Sequence, residues 1–566
     1  MQLSHLLLLA GLWTNSEPTP STAPISHNTP VAPTQTTGTV RKHLIYFRDK
    51  AGSPYSTTQP LAFLSARAVQ RRQRQNIAVQ PRDLPVNPSY VQQVKAVAGA
   101  QLWYTSRWFN AAIVACDSAT LLQLQALPCV RTAKTLNRGL PGSRKREVGE
   151  QLPAEQRGTR AQYGPAYTQA NMIGAVAMHD AGYRGEGMQI AVFDAGFTGV
   201  NTAAAFAPLF QEQRLASTFN VVEKNNAVYG RNSHGTNCLS TMAANSPGFY
   251  IGTAPQATYR LFVTEDIYSE HPVEEANWLV AAEYADSAGV DIISSSLGYN
   301  TFDYPSIDYT YNDLNGRTAL STRAATVAAR VGMLVVNSAG NEGGNTWRYI
   351  TAPADADSIL TVGAVDSLLN RAYFSSMGPT ADGRIKPNLS AMGLQTAIIS
   401  PSGAATRGSG TSFSCPVLAG MAAGFWQANP MLTAQQVLGY LQRSGTRATT
   451  PDDQVGYGIP SFVRAYNLAN PGTPLAAGAP AGRQELIIYP NPAKDDELYL
   501  QLAPAFQARA LRVRIFDARG ALVTEQQVAA TTAAEVRLHP GVLTKGVYTC
   551  TVSTGKEQRT LRFVKL

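Results

Sequence analysis

The chain has 566 residues, 44% of them apolar and 15% charged. That composition excludes a mainly disordered chain, and the length suffices for roughly two to four domains with a large core. The net charge of +9 is uneven: residues 1–160 hold 19 Lys and Arg against 7 Asp and Glu, residues 161–470 hold 16 against 23, and residues 471–566 hold 12 against 8. A basic leader therefore precedes an acidic middle and a mildly basic tail, so the charge describes organisation and does not point to nucleic acid as a partner. Five cysteines are too few for a disulfide scaffold, and no CxxC pair suggests zinc.

In chain order, residues 1–20 read as a signal peptide, with apolar Leu6–Trp13 followed by polar Thr14 and Asn15, although no Lys or Arg precedes the apolar run. Residues 21–41, rich in Pro, Ser and Thr, read as a linker. Residues 42–140 predict a compact α+β module with strands at His43–Phe47, Leu102–Trp108, Asn110–Ala115 and Val130–Thr135 and helices at Ser89–Ala98 and Ser118–Leu127. Residues 141–163 are polar and basic, include Arg144, Lys145 and Arg146, and are expected to be exposed.

Between 164 and 470 the pattern changes. Apolar runs at Met188–Phe193, Tyr259–Val263, Val290–Ile293, Met333–Val336 and Ile359–Val365 alternate with helical segments, notably Val273–Ala288 and Ala319–Val331. Buried strands alternating with helices predict an α/β fold: a parallel sheet with helices on both faces. A Pro/Gly/Ala linker at 471–483 leads to residues 484–566, whose short runs separated by turn residues predict a small β-sandwich. No run of 18 apolar residues follows the N-terminus, so no spanning helix is expected.

Four positions in the middle segment carry chemistry. Asp194 ends a strand, where a carboxylate faces the crevice at which open α/β sheets bind ligands. His234, in Ser233-His234-Gly235-Thr236, opens a helix of small residues. Ser412, in Gly410-Thr411-Ser412, opens another, with Pro416 expected in its first turn, where a missing N–H is tolerated. A serine hydroxyl needs an imidazole to take its proton, and the imidazole needs a carboxylate to fix its tautomer. Asn341, in Ser338-Ala339-Gly340-Asn341, supplies an amide donor for an oxyanion, with the Ser412 N–H as a second.

The order Asp, His, Ser, with Ser296-Leu297-Gly298 and Phe374-Ser375-Ser376-Met377-Gly378-Pro379 between, resembles the subtilisin-like serine proteases. The resemblance implies a secreted endopeptidase made as a preproenzyme. Ser296, Leu297, Gly298, Ala339 and Gly340 would hold the peptide backbone and flank the pocket for the residue before the cut. Position, size and charge make the 42–140 module similar to an inhibitory chaperone propeptide, removed within 138–160; a permanent accessory domain is the alternative. The tail resembles the C-terminal sorting domain of type IX secretion substrates through Tyr489-Pro490-Asn491-Pro492, Gly546-Val547-Tyr548 and the terminal Arg562–Leu566, with an adhesive sandwich as the alternative. The resemblance implies no required cofactor but allows structural calcium; the insertion bearing Asp303, Asp308 and Asp313 has the oxygen ligands but no EF-hand spacing and reads as a solvated loop, with calcium as the alternative. Cys238 and Cys415 are expected beneath the triad as buried filler, with a disulfide between them as the alternative. Side-chain preference at the cut is not legible, because it depends on loop geometry.

Overall fold

A computed structural model describes residues 39–136, 162–475 and 486–566, apart from 490–492, 494–496, 503–505, 507, 532, 534 and 555–557. The signal peptide and most of the linker at 21–41 lie outside the described residues. So do most of the basic stretch at 141–163, the greater part of the linker at 471–483, and Pro490–Pro492.

The leader module contains strands β1 (Arg41–Phe47), β2 (Gln101–Ser106), β3 (Ala111–Cys116) and β4 (Val130–Thr135), with helices α1 (Ala66–Arg74), α2 (Pro88–Ala96) and α3 (Ser118–Gln125). Its antiparallel sheet runs β2-β3-β1-β4, and the two central strands are buried almost throughout. Helix α1 was not expected from the sequence. Its composition, AlaArgAlaValGlnArgArgGlnArg, has no apolar stripe, yet Arg71 and Arg72 are buried. Ser65 caps its start, the hydroxyl accepting from the Ala68 N–H at 3.1 Å.

The middle segment holds a seven-stranded sheet made of β5 (Gln189–Asp194), β6 (Leu215–Asn220), β7 (Thr258–Val263), β8 (Ile292–Ser295), β9 (Leu334–Ser338), β10 (Leu360–Val365) and β11 (Leu389–Met392). The order is β11-β10-β9-β8-β5-β7-β6, every adjacent pair parallel. Helices α4 (His234–Ala243) and α7 (Thr411–Ala428) pack on one face through Leu239, Met242, Val417 and Met421. Helices α5 (Val273–Ala288) and α6 (Leu320–Arg330) cover the other through Trp278, Leu279, Ala324 and Ala328. The expected strands are thus present, each displaced by at most two residues at either end. The two edge strands β6 and β11 carry too short an apolar run to be recognised.

The leader lies against α5 and α6. Leu44, Tyr46, Ala111 and Ile113 of its sheet share an apolar cluster with Val273, Ala276 and Leu320. Polar contacts surround this cluster. The Glu283 carboxylate accepts from the Ser106 hydroxyl at 2.5 Å and from the N–H groups of Arg107 at 2.9 Å and Trp108 at 3.2 Å. Asp286, fully buried, receives the guanidiniums of Arg71, Arg72 and Arg107. Helix α1 extends the contact to the turns that enter the central strands. Arg67 donates to the carbonyls of Gly187 and Gly289, Arg71 to that of Val290, and Gln75 to that of Gly332. Those turns precede β5, β8 and β9, three neighbours in the sheet.

The tail forms two antiparallel sheets. One pairs Ile487–Tyr489, Leu498–Gln501 and Glu535–Leu538; the other pairs Leu522–Val528, Leu511–Phe516, Gly546–Ser553 and Gln558–Lys565. Ile488, Leu498 and Leu500 from the first share a core with Val513, Ile515, Val552 and Phe563 from the second, as expected of a sandwich.

Candidate active site

The four chemical positions converge at the C-terminal ends of β5, β8 and β9. Asp194 is the last residue of β5 and is fully buried. Its Oδ1 accepts from the Ala195 N–H at 2.7 Å and faces His234 Nδ1 at 2.8 Å. A carboxylate only accepts, so Nδ1 carries the proton and Nε2 is left as the basic nitrogen. His234 is the first residue of α4, and Asn232 Oδ1 accepts its N–H at 2.8 Å. The approach of α4 to β5 requires Gly235, where a Cβ would meet Gly196 O at 2.6 Å and Asp194 Cβ at 2.9 Å. Burial pulls the His234 pKa down, but Asp194 and Cys238 together outweigh it, and the net direction is well above the ordinary 6.5.

Ser412 is the second residue of α7 and is 9% exposed. Because the helix starts at Thr411, Pro416 is its sixth residue and lies in its interior, not in the first turn expected from the sequence. The Ser412 carbonyl therefore lacks the N–H that a helix supplies from four residues ahead. Cys238, one turn beyond His234, is 1% exposed, and its Sγ lies 3.8 Å from His234 Nδ1 and 3.9 Å from Nε2. The same thiol donates to the Ser412 carbonyl at 3.3 Å, so α4 and α7 meet at one sulfur atom. Burial pushes the Cys238 thiol pKa up, which keeps its proton in place. Cys238 and Cys415 are both free and buried, which matches the expectation of filler and not of a disulfide.

Asn341 follows β9. Its Oδ1 accepts from both the N–H and the hydroxyl of Thr411, each at 2.9 Å. An N–H must face an oxygen, so the amide orientation is fixed and Nδ2 is the donor left for a ligand. Thr411 was not singled out in the sequence; its position before Ser412, inside the Gly-Thr-Ser triplet, was the signal available. Its hydroxyl also accepts from the Gly340 N–H at 3.3 Å. Ala339 is fully buried, Leu297 9% exposed and Ser296 7% exposed. Tyr299 N–H donates to Ala352 O at 2.7 Å and Thr351 N–H to Ala339 O at 3.2 Å, while Asn337 Nδ2 donates to Leu297 O at 3.1 Å, and these bonds link the Ser296–Gly298 and Ala339–Gly340 segments. The Ser296 hydroxyl turns away from this edge and donates to the Ser412 carbonyl at 2.8 Å.

The candidate calcium insertion is tied up internally. Asp303 accepts the Glu270 N–H at 2.8 Å, Asp308 the Phe302 N–H at 2.7 Å, and Asp313 caps Thr310. Among the described residues these three carboxylates do not converge. The carboxylate cluster that does form, with ligand atoms within 4.8 Å of one another, is Glu265, Glu270 and Glu274. No helix among the described residues is long and apolar enough to cross a membrane.

A parallel sheet bearing a carboxylate–imidazole pair, a helix-start serine and a pinned amide defines a serine-hydrolase type of site. The subtilase family model matches residues 185–458, and the chain belongs to that family of serine peptidases. It is 30% identical to subtilisin DY of Bacillus licheniformis over 51% of its own length and 93% of that protein. It is 31% identical to subtilisin NAT of Bacillus subtilis subsp. natto over 49% of its length. It is 28% identical to serine protease AprX of Bacillus subtilis over 53%. The match spans 65% of the length of subtilisin NAT and 70% of AprX. Residues 42–150 match the Peptidase S8 propeptide domain of Bacteroidota, and residues 487–566 match the secretion system C-terminal sorting domain. That tail makes the chain a type IX secretion protein, secreted or attached to the cell surface.

Proposed function

We propose that this chain is a secreted serine endopeptidase that hydrolyses protein peptide bonds through an acyl-enzyme. His234 Nε2 takes the Ser412 proton as the hydroxyl attacks the scissile carbonyl. Asp194 holds the imidazole tautomer and stabilises the imidazolium, while Asn341 Nδ2 and the Ser412 N–H receive the oxyanion. The proton then passes to the leaving amine, and a water attacks the acyl-enzyme by the same route in reverse. Ser296–Gly298 and Ala339–Gly340 align the substrate backbone. The observation that carries this reading is the 2.8 Å Asp194–His234 bond beside a helix-start serine and an amide whose Nδ2 is left free. A fluorophosphonate probe and casein cleavage test it: wild type should label and cleave, Ser412→Ala should do neither. Equal labelling of both would overturn the mechanism.

The leader acts as intramolecular chaperone and inhibitor, and cleavage within 138–160 releases the enzyme. N-terminal sequencing of secreted protein should find the mature start there; a start before residue 100 would refute this. The tail engages the secretion machinery, so deletion of 484–566 should retain the protein in the periplasm. Normal export of that truncation would refute the sorting role.

A further inference from the structure

Helix α7 contains an internal deficit at its most important residue. In an α-helix the carbonyl of residue 412 is matched by the N–H of residue 416, but Pro416 has none, and its ring crowds that carbonyl. The acceptor is buried and belongs to Ser412. Two side chains from other elements replace the missing donor: the Ser296 hydroxyl, just past β8, at 2.8 Å, and the Cys238 thiol, in α4, at 3.3 Å. Ser296 is 7% exposed and Cys238 1% exposed, so neither donor is open to bulk water.

We propose that Ser296 and Cys238 are positioning residues for Ser412, holding the peptide plane that follows it and so the direction of its hydroxyl. The inference rests on the reading of Ser412 as nucleophile. The carbonyl of one residue becomes the point at which the nucleophile helix, the base helix and the substrate-binding strand are tied. Because the thiol also packs against the His234 ring, a shift of α7 relative to α4 is resisted by the same atom that sets the base. Proline in this place lets the carbonyl be held by the neighbours that the chemistry must align, and not by its own helix.

Full-length chain carrying Ser296→Ala, Cys238→Ala or both is to be assayed for kcat and KM on one peptide substrate and for the rate of fluorophosphonate labelling. Ser296→Ala is expected to lower kcat and the labelling rate by about tenfold with little change in KM, since small misplacements of a reacting group are expensive in rate. The decisive comparison repeats Ser296→Ala in a Pro416→Ala background. The N–H restored at position 416 takes over the carbonyl, so the loss should shrink to about threefold or less, a coupling that independent residues do not show. An equal loss in both backgrounds, or no loss in either, overturns the proposal. If Ser296→Ala fails to fold in the Pro416 background but folds in the Pro416→Ala background, judged by thermal unfolding, the coupling stands. Failure to fold in both overturns it. Absence of labelling in wild type would instead refute the reading of Ser412 as nucleophile.

Discussion

Asp286→Ala should undock the leader from the catalytic domain. The Asp286 carboxylate is fully buried and is shared by Arg71, by Arg72 at 2.9 Å and by Arg107 at 2.5 Å. Truncating one member of a buried, hydrogen-bonded charge pair costs about 2–5 kcal/mol, much of it from the partners left unpaired. Here three guanidiniums would lose their shared carboxylate, two of them almost wholly buried and Arg72 keeping only Asp83 at 3.7 Å, which places the loss near about 4 kcal/mol, or roughly a thousandfold in the docking equilibrium. The Arg107 and Trp108 amides report docking directly, because both donate across the interface to Glu283. In full-length chain held intact by Ser412→Ala, their hydrogen exchange should accelerate by about a thousandfold in Asp286→Ala while the amides of β5 keep their protection. Acceleration below about tenfold would refute the assignment of Asp286 as the anchor. The pH dependence has a defined sign. Burial alone would raise the Asp286 pKa, but Arg107, Arg71 and Arg72 draw it down to about 2 from the ordinary 3.8. Its contribution is therefore complete above the ordinary value and is lost only as pH falls through about 2.

Asp194→Asn should lower kcat by about 10⁴-fold, as loss of the tautomer-fixing carboxylate does in serine proteases. It should also move the acidic limb of the kcat/KM profile downward, since Asp194 raises the His234 pKa above 6.5 and the base works only when neutral. Asn341→Leu should cost about 10²–10³-fold in kcat, and unchanged kcat would remove the oxyanion assignment; Thr411→Val removes one of the two bonds that hold the Asn341 amide and leaves the backbone N–H in place, so it should lower kcat less than Asn341→Leu without raising KM. His179 is buried between Tyr163 OH at 2.8 Å and Thr253 O at 3.1 Å, and burial lowers its pKa to about 4. The unfolded chain then binds a proton that the fold does not between about 4 and 6.5, so stability falls with acidification across that window. The fall in thermal midpoint from pH 7 to pH 4.5 should be smaller in His179→Gln. All five thiols are buried, so iodoacetamide should label them only after denaturation.

The central strands were legible because they are buried on both faces and therefore nearly continuous in apolar residues, as in β9 (Leu334–Ser338). The triad positions were legible because each lies at a strand end or a helix start. Helix α1 was not, because its buried face is made of arginines whose partners, Asp286 and Asp291, lie more than 200 residues away. Pro416 was misplaced for a non-local reason: the helix takes its first residue from Thr411, whose N–H and hydroxyl both meet Asn341, so the start depends on a contact 70 residues distant. Acidic composition marked Asp303, Asp308 and Asp313, but composition does not reveal that each fastens a backbone N–H nearby in the fold.

The reach of α1 across the turns that enter β5, β8 and β9 bears on how long a mature molecule can work. Those strands start at residues 189, 292 and 334, so their pairing closes very long loops. While the leader is present, one short helix gathers all three starting points. If cleavage removes the leader as proposed, a molecule that opens no longer has that helix to gather them, and the carboxylates of Asp286 and Asp291 no longer have arginines to meet. On that reading loss of the fold is a one-way event, and the time for which the released molecule works is set by how slowly it opens and not by an equilibrium between open and closed forms.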